Sequence, residues 1–506
     1  MATNKDFIVA IELGSSKVTG IAGKKNLDGS ISVLAIIREE SASFIRNGVV
    51  YKMDKTAQCV SSIVARLQTQ LRTRINRVYV GVGGQSIHSE SNVIVRDLPV
   101  VDMITQEMVD EIQEINRQMN YPGQFILDSV TQEYKVDTLQ QIDPVGIQCH
   151  HLESHFLNIL CREQFYNNLN ECFNTAGIQI AELFLSPIAL ADSVLSDAEK
   201  RSGCVLVDLG ADTTTVAVYH KNILRHLVVI PLGGMNITRD IASQHIEEQM
   251  AEEMKKKYGT AYSEFIDTND AVQYSCGDDK TISDILFNEI VESRVREIIE
   301  NVQNQIPKQY RDNLLGGLIL TGGGSNMADI EKAFAAYTGI QKIRVAKFVQ
   351  QSVTSHLDEL SVHNSMLNTA LAILAKGDMT CSGDAYNPNE ELFNQEGEAA
   401  VEVNNGGSGS LFEVGGQAQR RSGSGIGIVV SAAEKEDIER KRAEAEEAER
   451  IAAEEVAAEA ARLAQEEEEK RLAEEEAQKR AERLKNPKVS TFQKIKNWLN
   501  NMASEE

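Results

Sequence analysis

What this 506-residue chain lacks most plainly is basic charge, for 75 Asp and Glu against 51 Lys and Arg leave a formal net charge of -24. Non-specific binding to nucleic acid needs clustered Lys and Arg across a domain, so that class of function is set aside. Paired cysteines are missing too: Cys59, Cys149, Cys161, Cys172, Cys204, Cys276 and Cys381 show no CxxC spacing and read as ordinary thiols of a reducing compartment. The N-terminal stretch MATNKDFIVAIELGSSK is too short and too interrupted for a signal peptide. Nowhere do about 18 apolar residues run together, so no spanning helix is expected and any membrane contact is peripheral. With 42% hydrophobic residues, the chain has material for two or three domains with substantial cores.

From Asp6 to about Lys376, β-branched runs (FIVAIEL, RVYVGV, CVLVDLG, LRHLVVIPL, GLILTGGG) alternate with helix-patterned stretches, the mark of α/β layers. From Asp378 to about Ser431 the composition turns to Gly, Ser, Asn, Gln and Glu, which bury too little apolar area to offset chain entropy, and a flexible linker is expected. Glu434 to Lys485 holds neither Gly nor Pro and predicts a charged helix, on the order of 75 Å long at the α-helical rise. Pairs such as Glu446 with Arg450 and Glu467 with Arg471 support it as an isolated helix. A coiled coil is the alternative, although Ile438, Ile451, Val456, Leu463, Leu472 and Leu484 hold no sustained heptad. After Pro487, Phe492, Ile495, Leu499 and Met502 fall on one helical stripe bordered by Trp498, with Lys488, Lys494 and Lys496 beside it. This is the pattern of a membrane-surface helix; a tail helix docked on the globular part is the plainer reading.

Three glycine-bearing turns carry the chemistry. In FIVAIELGSSKVTGIAG a strand leads through Glu12 to Gly14, Ser15, Ser16 and Lys17 and into a second strand. Such a turn brings backbone N–H groups, hydroxyls and a cation to phosphate oxygens, although a polar hairpin with one Gly is common. GCVLVDLGADTTTVAVYHKN repeats the design with Asp208, Gly210, Asp212, Thr213 and Thr214. Two copies suggest two similar lobes face to face, with Glu12 and Asp208 placed to hold Mg²⁺ through water. The third, LILTGGGSNMADIEKAFAAYTG, ends a strand in Gly322, Gly323 and Gly324. Three glycines let a flat ligand such as adenine approach the backbone, or simply make a tight strand-to-helix connection.

In this order the three motifs resemble the actin, DnaK-type chaperone and sugar-kinase superfamily. Within it, residues 6–376 are similar to the FtsA family: RNGVVYKMDKTAQCVSSIV, VYVGVGGQSIHSESNVIVRD with ITQEMVDEI, PVGIQCHHLESHFLNIL, LSPIALADSVL, PLGGMNITRDIA and EIVESRVREII follow in the family's order. The resemblance implies an actin-like α/β fold of two ribonuclease-H-like lobes around a nucleotide cleft. The first lobe takes residues 1–83 and 161–200, an inserted subdomain 84–160, the second lobe 201–236 and 316–377, and its subdomain 237–315. Linker 378–432, charged helix 433–485 and amphipathic membrane-targeting helix 486–506 follow. It further implies ATP and Mg as cofactors, with Gly233 and Gly234 of PLGGMNITRDIA joining the turn residues at the nucleotide. It implies self-polymerisation at the cytoplasmic face of the membrane, tethering of the tubulin-like protein FtsZ at the division septum, and recruitment of later division proteins. The FtsZ tail is expected on Arg294 and Glu297, with Lys280 at a position basic in some relatives; an intrahelical ion pair is the plainer reading of the first two. Phe492, Ile495, Trp498 and Leu499 are the expected membrane contacts.

Two departures stand out: Glu12 and Ala372 occupy positions where the family carries Asp and Gly. No residue is assignable as the base for an attacking water, so turnover is left open. A pilus-assembly actin homologue is the nearest rival; a chaperone lacks a peptide-binding domain after the second lobe, and a small-molecule kinase has no use for a membrane helix. Cys149, His150, His151, His155 and Cys161 tempt as a metal site, but HHLESHFLNIL alternates like a strand. His151 and His155 then share a face with Glu153, too far apart for tetrahedral ligation. AEEMKKKYG reads as a solvated helix end.

Overall fold

The computed structural model describes residues 6–263, 272–277 and 280–385. The linker beyond residue 385, the charged helix and the membrane-targeting residues Phe492, Ile495, Trp498 and Leu499 lie outside the described residues.

Two sheets built on one plan flank the cleft. In the first, Gln179–Leu185, Arg77–Val82, Ile8–Leu13, Lys17–Lys25, Ile31–Glu40 and Val353–Ser355 lie side by side in that order. Ile8–Leu13 runs antiparallel to Lys17–Lys25 and parallel to Arg77–Val82. In the second, Ile223–Ile230, Thr214–His220, Cys204–Leu209, Gly317–Thr321 and Ile343–Val345 repeat the order and the strand directions. The central strands IVAIEL and CVLVDL are buried apart from Glu12 and Asp208. Strands covered on both faces read as nearly continuous apolar runs, so a carboxylate in each has a reason other than packing. Glu12 pairs across its hairpin with Thr19 and Asp208 with Thr215, which makes the two turns equivalent residue by residue.

Helices Ser186–Val194 and Asn368–Lys376 pack together where the chain passes between lobes, with Ala189, Ala370 and Ala372 buried. In the second lobe Gly234–Ala242, Glu248–Tyr258 and the long helix Asp284–Gln305 build a subdomain whose core includes Ile237, Ile241, Met254, Phe287 and Val291.

The insertion leaves the first lobe after Arg77–Val82. Its strands His88–Met103, Gln124–Val136 and Gln148–Arg162 form an antiparallel sheet covered by helix Gln106–Arg117. Thr105 caps that helix by accepting the Met108 N–H at 3.3 Å. Although encoded within the first lobe, the insertion is bonded to the second: Val228 pairs with His88, Leu227 N–H donates to Ser89 Oγ at 2.8 Å, and Arg225 meets Glu133 at 2.7 Å.

Beneath its helix lies a polar network. Asn116 and Asn158, both fully buried, exchange hydrogen bonds of 2.7 and 3.0 Å, and Ser129, Asn92 and Tyr121 complete their demands. Removing one member leaves buried donors and acceptors unpaired, at roughly 1–3 kcal/mol. Asn158→Ala should therefore destabilise the insertion by about 2 kcal/mol, read as faster amide exchange across residues 92–158 with the lobes unchanged.

Candidate nucleotide cleft

The two hairpins meet at a cavity of about 560 Å³ between the sheets, within the size range of small-molecule sites. Each closes the same way: Gly14 N–H donates to Lys17 O at 3.1 Å, and Gly210 N–H to Thr213 O at 2.8 Å. Of the residues expected at the nucleotide, Glu12, Gly14, Ser15, Ser16, Lys17, Asp208, Gly210, Thr213, Gly233, Gly234, Gly322, Gly323 and Gly324 all line this cavity.

Thr214 does not. It is fully buried, and its Oγ1 donates to Leu232 O at 2.8 Å. The alternation of the strand explains this, because Asp208 pairs with Thr215, which lines the cavity as Thr19 does beside Glu12. Setting ELGSSKVT against DLGADTTT in register would have selected Thr215 from the sequence.

The carboxylates on the floor are electrically strained. Burial pushes the Glu12 carboxyl up to about 8, the charge of Asp208 adds to the rise, and Arg38 opposes it. Burial lifts Asp208 to about 6. A divalent cation relieves both the desolvation and the repulsion. Among the described residues no three His, Cys, Asp or Glu side chains form a metal cage. Mg²⁺ held by Glu12 and Asp208 would therefore complete its shell with water and phosphate oxygens.

One wall is the start of helix Gly234–Ala242, held to the second hairpin by Gly234 N–H donating to Gly210 O at 3.0 Å and Met235 N–H to Ala211 O at 2.7 Å. With Gly233 N–H on Asn236 Oδ1 at 3.0 Å as well, the N–H groups of this helix start are spent within the protein, and what remains for an anion is the helix dipole and the close approach its glycines allow. Another wall is the turn Gly323–Asn326 after strand Gly317–Thr321. Gly322 there has φ +83°, and a Cβ would lie 2.2 Å from Asp208 Oδ1.

Sequence reading missed the lysines of AEEMKKKYG. Glu252, Lys255, Lys256 and Lys257 line the cavity; Lys255 Nζ donates to Gly234 O at 2.9 Å, Thr238 Oγ1 at 2.9 Å and Glu252 at 2.6 Å. Burial pulls the Lys255 ammonium down, against the pull of Glu252. A helix end with three lysines carries no local sign that it faces a cleft, since the fold of Glu248–Tyr258 onto Gly234–Ala242 decides that.

The expected peptide-contact residues lie elsewhere. Arg294 is gripped by Asp240 at 2.5 and 3.0 Å and also meets Glu297, so the two share a face of helix Asp284–Gln305. Lys280 is exposed and donates to His245 O at 3.4 Å; no contact among the described residues joins it to that pair. The insertion's histidines form a surface network: His151 meets Asp97 at 2.6 Å and Glu153 at 3.1 Å, and Glu153 meets Lys135 at 2.7 Å. Hydrogen bonding to Asp97, then Glu153, raises the His151 pKa. All seven cysteines are unpaired and buried.

The comparisons agree with this geometry. The model of the cell division protein FtsA family matches residues 205–372, and that of the SHS2 domain inserted in FTSA matches residues 84–160. The cell division protein FtsA of Porphyromonas gingivalis is 29% identical over 371 residues, spanning 71% of this chain and 77% of that protein. That of Pseudomonas aeruginosa is 29% identical over 400 residues, spanning 76% and 94%. Among solved structures, the PilM-PilN type IV pilus biogenesis complex aligns with a TM-score of 0.51 at 16% identity, covering 72% of this chain and 97% of that one, a likeness of fold alone. With two lobes on one plan, a duplicated hairpin and the inserted domain matched in its own right, this chain is similar to the FtsA family of cell division proteins over residues 84–160 and 205–372.

Proposed function

We propose that the chain binds ATP with Mg²⁺ between its lobes, polymerises like actin at the cytoplasmic face of the membrane, and tethers FtsZ filaments there at the septum, drawing in later division proteins. The observation that carries this reading is the duplicated hairpin facing itself across the cavity. Ser15, Ser16 and Lys17 take one side of the phosphates, Gly210 and Thr213 the other, and Glu12 and Asp208 hold Mg²⁺ through water. Gly233 and Gly234 approach from the helix start, and Gly322, Gly323 and Gly324 leave room for the base. Nothing in the cavity is identified as the base for an attacking water, so binding is proposed and turnover is not.

The FtsZ tail is assigned to Arg294 and Glu297, with Lys280 as a further basic contact of the same subdomain. Asp240 supports this by fixing the Arg294 guanidinium, so the backbone and charged groups of a short peptide meet a preformed surface. Phe492, Ile495, Trp498 and Leu499 supply the membrane half. Each Lys beside an anionic leaflet adds about 1 kcal/mol, and one helix binds weakly, so polymerisation converts many weak anchors into firm attachment.

The test is co-sedimentation of FtsZ with anionic liposomes, the full chain and MgATP. FtsZ should pellet only with the chain present. A truncation after Asn486 should leave both proteins in the supernatant, whereas Glu297→Lys should pellet the chain without FtsZ. Equal pelleting of FtsZ in all cases would remove the adaptor reading.

A further inference from the structure

The two lobes match residue by residue through the first two strands of their sheets and part at the third. Across the second lobe's sheet the row reads Asp208, Thr215, Val229; across the first it reads Glu12, Thr19, Arg38. Residues paired directly across antiparallel strands stand on one face of the sheet. Val229 is a covered apolar residue, and its N–H goes to Ile87 O at 3.2 Å, at the root of the insertion. Arg38 instead lines the cleft cavity together with Glu12 and Thr19. Lys17, two residues before Thr19 on the same strand, lines it too. The first lobe therefore sets two cations around Thr19, where the second has Thr213 and Val229 in the matching places. Like charges close together on one sheet face repel, and an anion lying beside both relieves that.

The Arg38 guanidinium is engaged from outside the cavity. Glu359, in the short helical turn Asp358–Leu360, meets Arg38 Nη2 and is not part of the cavity wall. It arrives on a strap that leaves strand Ile343–Val345 of the second lobe, adds Val353–Ser355 in parallel beside Ile31–Glu40 of the first, and runs on to Ser365 and Met366, which line the same cavity. The pair is open to water, the Arg38 side chain being 24% exposed and that of Glu359 54%. A single ion pair this exposed holds weakly. A guanidinium on phosphate oxygens makes two charge-assisted hydrogen bonds at once and holds far better.

We propose that Arg38 is a further phosphate-binding residue of the cleft, parked on Glu359 and handed over to the phosphate chain of a bound nucleotide, so that Glu359 competes with the ligand for it. This rests on the nucleotide reading of the cleft. The hand-over gives the two members of one ion pair opposite effects on affinity: losing Arg38 removes a phosphate contact, and losing Glu359 removes its rival. An ion pair that only tied the strap down would act differently. Because the strap ends on the cavity wall at Ser365 and Met366, breaking it from either side would weaken MgATP and adenosine together.

Calorimetry on the full chain with MgATP and with adenosine separates these. Arg38→Gln should weaken MgATP ten- to thirtyfold and leave adenosine within twofold of the parent. Glu359→Gln should tighten MgATP two- to fivefold. The same substitution made in Arg38→Gln should bring no gain, since a gain that came only from lowering the negative charge would persist there. If Arg38→Gln does not fold, Arg38→Lys takes its place: the charge stays, the planar fork goes, and MgATP should weaken at least threefold. Parent-like MgATP affinity in the Arg38 variant, weaker MgATP binding in Glu359→Gln, a gain from Glu359→Gln that survives without Arg38, or an equal loss of adenosine would each overturn the hand-over and leave the nucleotide cleft standing. Failure of the parent to bind MgATP would overturn both.

Discussion

Glu12→Gln should stabilise the nucleotide-free protein and at the same time cripple its hold on MgATP. In the folded chain the Glu12 carboxyl titrates near 8 and Asp208 near 6, against ordinary values of 4.5 and 3.8. The folded state therefore keeps protons that the unfolded chain gives up. Stability from this pair is fully present below about pH 4, declines as pH rises, and is lost once pH passes about 8, in the sense opposite to a salt-bridged carboxylate. A tenfold difference in proton affinity between the folded and unfolded chain is worth about 1.4 kcal/mol, and the total is on the order of 2–4 kcal/mol for two neighbouring carboxyls that solvent partly reaches. The thermal midpoint of the parent should fall between pH 5.5 and pH 8.5 more steeply than that of Glu12→Gln, the variant being more stable at the upper end. MgATP affinity should drop by roughly ten- to a hundredfold, the loss of one of the two carboxylates that hold the cation through water. An unchanged pH slope in the variant would mean that Glu12 is not held protonated in the empty cleft.

Gly322→Ala should be the most damaging single methyl group in the cleft. Gly322 has φ +83° and ψ 170°, a region open essentially to glycine alone and costing other residues about 1–3 kcal/mol. Its Cβ would also press on Asp208 Oδ1 at 2.2 Å and on Leu209 O at 2.7 Å. The carboxylate must move to relieve the contact, so nucleotide affinity and stability should fall together, by more than tenfold and by about 3 kcal/mol. The neighbouring Gly323→Ala is the control: its Cβ would meet only Met366 Cγ, at 3.9 Å, and it should bind within a few fold of the parent. Equal behaviour of the two variants would show that the wall at Gly322 does not position Asp208.

The duplicated hairpin was legible in the sequence because its chemistry is local: an acid, a glycine and hydroxyls within a few residues, twice, at the end of apolar runs. Its phase was harder. Thr214 looks the equal of Thr213 by composition, and only the alternation that pairs Asp208 with Thr215 turns it inward. Features made by distant segments were not legible. Asp240 and Arg294 meet across two helices, and Lys255 reaches Gly234 only because Glu248–Tyr258 folds back on Gly234–Ala242. The insertion was visible as a segment. Its attachment to the second lobe, through Arg225 with Glu133, Leu227 with Ser89 and Val228 with His88, joins residues far apart in the chain and leaves no local pattern to read.

The central claim is that MgATP lies between the two hairpins, and calorimetric titration of MgATP into the full chain tests it most directly. The parent should bind one equivalent, releasing protons near neutral pH as Glu12 ionises against Mg²⁺, which appears as a heat that varies with the buffer. The double variant Lys17→Ala with Asp208→Ala takes one charged group from each hairpin and should lose at least a hundredfold in affinity together with that buffer dependence. Parent-like affinity in the double variant would contradict the account, because the nucleotide would then be held somewhere other than this cleft.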